Sequence, residues 1–89
     1  MGNETVRPSK DVVSRRVGDE IVLVHLQLDE MYSLNPTGAR TWELLSEGQD
    51  PKAIEETLST EYGIERAEAR RELETLLGEL VSRQLVERS

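Results

Sequence analysis

The sequence predicts an α+β domain: a three-stranded antiparallel β-sheet followed by three α-helices, winged-helix-like in outline. Three observations carry that expectation. Two runs rich in β-branched residues, DVVSRRV and EIVLVHLQL, flank Gly18-Asp19, the pattern of a hairpin closed by a two-residue turn. Asn35-Pro36 and Asp50-Pro51 each couple a capping side chain to a proline, which suits the first helical position because its missing N–H has no intrahelical partner there. Beyond residue 65, Ala69, Leu73, Leu76, Leu77, Leu80 and Val81 recur at helical spacing, which marks an apolar stripe.

Residues 1–10 are polar and contain Pro8, and they read as a flexible N-terminal arm ahead of one domain over 11–89. The first strand is DVVSRRV. The second, EIVLVHLQL, places Ile21, Leu23 and His25 on one face and Val22, Val24, Leu26 and Leu28 on the other, because strand side chains alternate. Apolar residues on both faces make it the central strand. Asp29-Glu30 is expected to turn the chain into a short third strand, Met31 to Leu34, at the sheet edge. The first helix runs from Pro36 to about Ser46 and buries Ala39, Trp42 and Leu45, with Gly48 ending it. The second runs from Pro51 to about Glu61 with Ile54, Leu58 and Tyr62 aligned, ending at Gly63. The third runs from about Glu65 to about Gln84, and Leu85-Val86 follows as an extended piece.

Composition narrows the chemistry. With no cysteine and one histidine, His25, the chain lacks the ligand set of a zinc site and the parts of a cysteine- or triad-based nucleophile. The serines stand in no nucleophile elbow, and the glycines form no phosphate-cradling loop. No catalytic residue, metal or cofactor is expected. The longest apolar run, Ile21 to Val24, cannot span a bilayer, and no signal peptide is evident, so the expectation is a cytoplasmic protein without a membrane partner.

The alternative from another functional class is a winged-helix nucleic-acid-binding protein. It needs a basic recognition helix. The third helix instead carries four arginines against five glutamates, residues 43–61 carry six acids against Lys52, and the chain's net charge is −7. A phosphate backbone would be repelled. What remains is the third strand. An edge strand exposes unpaired N–H and C=O groups that template another strand. The apolar stripe of the third helix, close by, provides a wall for an extended peptide. The same stripe serves equally well as core.

A longer match now bears on this. The stretch Leu26-Gln27-Leu28-Asp29-Glu30-Met31-Tyr32-Ser33-Leu34-Asn35-Pro36-Thr37-Gly38-Ala39-Arg40-Thr41-Trp42-Glu43-Leu44-Leu45, with its Tyr-x-Leu-Asn-x-Thr-Gly-Ala-x-x-Trp run, resembles the PqqD-like family of peptide-recognition modules in ribosomal natural-product biosynthesis. The resemblance spans about residues 11 to 87. It implies a non-catalytic adaptor that binds the leader of a precursor peptide by β-strand addition to the third strand. The adaptor presents that leader to a separate maturation enzyme, as free-standing modules do with the leader peptidase of lasso-peptide systems or in radical-SAM and quinone-cofactor pathways. The residues this places at the peptide are Glu30, Met31, Tyr32, Ser33 and Leu34 on the strand, and Arg66, Ala69, Arg70, Leu73, Leu76, Leu77 and Leu80 on the helix. One flank of that helix must pack on the other helices and one must line the groove. Arg66, Arg70 and Arg71 ring its upper end, placed either to meet acidic leader residues or to pair along the helix.

Overall fold

A computed structural model describes residues 6–88. The chain forms β1 (Val6–Pro8), β2 (Val12–Val17), β3 (Glu20–His25), β4 (Glu30–Leu34), α1 (Pro36–Ser46), α2 (Pro51–Tyr62), α3 (Arg66–Ser82) and β5 (Val86–Arg88). β2, β3 and β4 make the expected antiparallel sheet in that order, with Val17 opposite Glu20 and Ile21 opposite Leu34. Gly18, at φ 66, supplies the left-handed first position of the two-residue turn, where a Cβ would be strained.

Ile21, Leu23 and Leu34 present the inner face of the sheet to the core, where they meet Trp42, Leu44 and Leu45 of α1, Ile54 and Leu58 of α2, and Ala69, Leu73, Leu77 and Leu80 of α3. Both proline-led helices begin as expected. The Asn35 side chain accepts from the Gly38 N–H at 2.8 Å and Asp50 from the Ala53 N–H at 2.9 Å. Gly63, at φ 65, ends α2 in the left-handed conformation typical of a helix stop.

Three expectations are corrected. The arm expected to be loose over 1–10 is a strand over Val6–Pro8, paired with β5 in a separate ribbon, Val6 opposite Arg88; residues 1–5 lie outside the described part. Val6 and Val86 enter the core. This ribbon joins opposite ends of the chain, so no local pattern announces it. Second, β3 stops at His25, three residues before the expected end, and the turn is Leu26–Asp29 rather than Asp29-Glu30. The buried His25 imidazole explains the stop: its Nδ1 accepts from the N–H groups of Gln27 and Leu28, both at 3.2 Å, and Asp29 turns at φ 55. Leu26 and Leu28 are consequently exposed in the turn instead of lying on a sheet face. Third, α3 is shorter at both ends than 65–84, and Val81 and Tyr62, expected on buried stripes, are exposed.

Candidate functional site

The free edge of β4 follows from hairpin geometry. A two-residue turn makes Val17 and Glu20 the closing hydrogen-bonded pair, and bonded and non-bonded pairs then alternate along the ladder. The parity continues past the strand ends, where the Leu26 N–H donates to the Asp11 carbonyl at 2.8 Å. Even-numbered β3 residues therefore bond to β2, and Ile21, Leu23 and His25 bond to their β4 partners Leu34, Tyr32 and Glu30. Met31 and Ser33 are left with N–H and C=O directed away from the sheet.

Beside this edge runs a groove of about 510 Å³ between β4 and α3. Tyr32, Ser33 and Leu34 form one side, and Glu72, Thr75, Leu76 and Glu79 the other. Thr41 and Leu58, with Leu73, close its floor. The first turn of α1 closes the end beyond Leu34, with Asn35, Thr37 and Gly38. A Cβ at Gly38 would come 3.3 Å from both the Asn35 Oδ1 and a Leu34 methyl, so a larger residue after Thr37 would press on the cap and on the strand end. At the opposite end, the Arg83 guanidinium lies 4.8 Å from the centroid of the Tyr32 ring and its Nε donates to Glu79 at 3.2 Å, holding the ring against the helix.

The two flanks of α3 are now distinguished. Leu76 and its neighbours one turn away, Glu72 and Glu79, face the groove. Arg66 and Arg70 lie on the other flank and hold Glu55 of α2, at 3.3 Å and 3.2 Å. Burial pushes the Glu55 carboxyl up, but hydrogen bonds and charge from Arg70, and then Arg66, outweigh it and hold the group below the usual carboxylate range.

Of the residues expected at the peptide, Tyr32, Ser33, Leu34, Leu73 and Leu76 line the groove. Met31 sits on the free edge with its side chain exposed on the outer sheet face, and Glu30 begins the strand, exposed. Ala69, Leu77 and Leu80 are fully buried in the core, and Arg66 and Arg70 are engaged with Glu55. Sequence reasoning did not place Asn35, Thr37, Gly38, Thr41 and Leu58 at the groove. The Thr-Gly motif was a usable signal for the α1 residues. Nothing local marks Leu58, which arrives through the packing of α2. Among the described residues, no three acidic or histidine side chains cluster to hold a metal, and no helix is long and apolar enough to cross a membrane.

An unpaired sheet edge stands against a helix wall, the arrangement that an added strand requires. The chain belongs to the PqqD family: the family model for coenzyme PQQ synthesis protein D matches residues 20–86, as the Tyr-x-Leu-Asn-x-Thr-Gly run implied. Two solved structures share the fold. One, TbiB1 in complex with the TbiA(beta) leader peptide, is 37% identical, with 91% of this chain and 94% of that chain covered and a TM-score of 0.88. The other, lasso peptide synthetase B1 complexed with the leader peptide, is 24% identical, with 92% and 96% covered and a TM-score of 0.85, and bears on the fold alone. A comparison with curated protein sequences returned no match.

Proposed function

We propose that this protein is a non-catalytic adaptor that binds the leader of a ribosomally synthesised precursor peptide and presents it to a separate leader peptidase of lasso-peptide biosynthesis in the cytoplasm. The leader adds as a strand outside β4, bonding to the N–H and C=O groups of Met31 and Ser33. Its alternate side chains enter the groove against Leu76, Leu34 and Leu73. The observation that carries this reading is the open β4 edge beside the groove, in a chain 37% identical over 91% of its length to a protein solved with a leader peptide bound. The resemblance of this module to the free-standing leader-binding components of lasso-peptide systems favours that pathway over quinone-cofactor synthesis, the process in the family model's description. Residues 11–89 are the binding domain in this reading, braced by the β1–β5 ribbon.

A module of this kind needs no reacting group. Holding the leader raises its effective concentration at the partner peptidase, which strengthens engagement by ~10²–10⁴ without new catalytic contacts. The test is cleavage, by a purified leader peptidase, of a precursor whose leader the adaptor binds, at leader concentrations far below and far above the peptidase's own affinity. The expected benefit of the adaptor is large in the first case and shrinks in the second. An undiminished benefit at saturation would show participation in the chemical step and overturn the adaptor reading.

A further inference from the structure

The arginines of the helical layer are, with one exception, already held by carboxylates. Arg40 is bound to Glu43 and Glu61, Arg66 and Arg70 to Glu55, and Arg83 to Glu79. Arg71 lines the groove and makes no ion pair among the described residues. This is so although the chain has an excess of acids and Glu68 and Glu74 lie one turn away on either side. Glu74 reaches Arg88 instead. The two arginines that seemed equally placed from the sequence are neutralised, so Arg71 is the guanidinium the groove leaves available.

We propose that Arg71 is a specificity-determining residue that recognises a side-chain carboxylate of the bound peptide and so sets its register; this rests on the strand-addition reading above. Geometry gives the spacing. Arg83 stacks on Tyr32, so Arg71, twelve residues earlier in the helical run, lies at the groove end beyond Leu34. Five residues separate Arg71 from Leu76, a rise of about 7–8 Å along a helix. Same-face residues of a strand, two positions apart, are about 6.6–6.8 Å apart. The two side chains leave the helix about 140° apart, so Arg71 reaches the groove rim through its long stem, and a peptide whose apolar side chain meets Leu76 places the residue about two positions along at that rim. Glu72, beside Arg71, and Glu79, toward the Tyr32 end, also line the groove, so a carboxylate that slips out of reach of the guanidinium meets like charge.

The experiment is selection from a display library of random 12-residue peptides with blocked C-termini, which leaves side chains as the only source of carboxylate. Wild-type protein, Arg71→Ala, Arg71→Glu and the outer-face control Arg15→Ala are each panned, with circular dichroism confirming the fold. Wild type and Arg15→Ala are expected to enrich Asp or Glu two positions from an apolar residue. Arg71→Ala should lose that enrichment and weaken a selected peptide about five-fold, the upper end for a partly exposed ion pair. Changing the peptide's acid to Lys should restore binding to Arg71→Glu. An apolar consensus with no acidic preference, or an acidic preference that persists in Arg71→Glu, would overturn the role of Arg71 while leaving strand addition standing. A library that yields no consensus on any of the proteins would overturn strand addition, and this inference with it.

Discussion

A proline at position 33 separates binding from folding, because the two edges of β4 do different work. The Ser33 N–H points away from β3, opposite Val22 in a non-bonded pair, so Ser33→Pro removes no ladder bond. Proline also favours extended backbone at the preceding residue, and Tyr32 is already in the strand. The expected stability change is therefore within about 1 kcal/mol in either direction, the size of the effect at a position whose backbone accepts proline. Tyr32→Pro is the contrast: it deletes the bond to Leu23 and should unfold the sheet. For peptide binding, Ser33→Pro removes one backbone bond worth roughly 0.5–1.5 kcal/mol, or about 2- to 12-fold in affinity, and sets a ring where the incoming strand must lie, which carries the loss beyond ten-fold. Calorimetric titration with the leader measures the binding, and urea unfolding measures the stability. Amide exchange adds a finer check. Tyr32 and Leu34 amides should be protected without peptide, whereas Met31 and Ser33 should slow about 100-fold only at peptide concentrations about 100 times Kd. Unchanged affinity in folded Ser33→Pro, or Met31 and Ser33 amides already protected in the free protein, would refute the edge assignment.

Further outcomes are expected elsewhere. Asn35→Ala removes the cap on α1 and should cost ~1 kcal/mol by thermal denaturation; loss of binding at unchanged Tm would instead make Asn35 a ligand contact. Glu55 has its folded pKa lowered by Arg70 and Arg66, so its contribution is present above the ordinary glutamate range and is lost as pH falls through the lowered value. Urea unfolding of wild type should accordingly weaken between neutral and strongly acid pH more than that of Glu55→Gln. His25→Ala leaves two turn N–H groups without their acceptor, and should lower stability by about 1–3 kcal/mol while leaving leader cleavage intact at a temperature where the variant is folded.

Much was legible in the order of residues because its causes are local. The Gly18-Asp19 hairpin, the Asx-Pro helix starts and the period of α3 each depend on neighbours within a few positions, so the sheet, the three helices and the edge position of β4 could be read directly. The Tyr-x-Leu-Asn-x-Thr-Gly run carried the family as well. Tertiary structure decided what depends on distant partners. The β1–β5 ribbon forms because Val6 and Val86 find the same core from opposite ends of the chain. His25 ends β3 because burial makes its imidazole the acceptor for the turn. Periodicity showed that α3 has two flanks, but which one lines the groove is decided by where α2 packs. Glu55 is buried on one side and draws Arg66 and Arg70 to it, since a buried carboxylate is tolerable only when paired. That leaves Leu76 to the groove and Arg71 without a carboxylate partner.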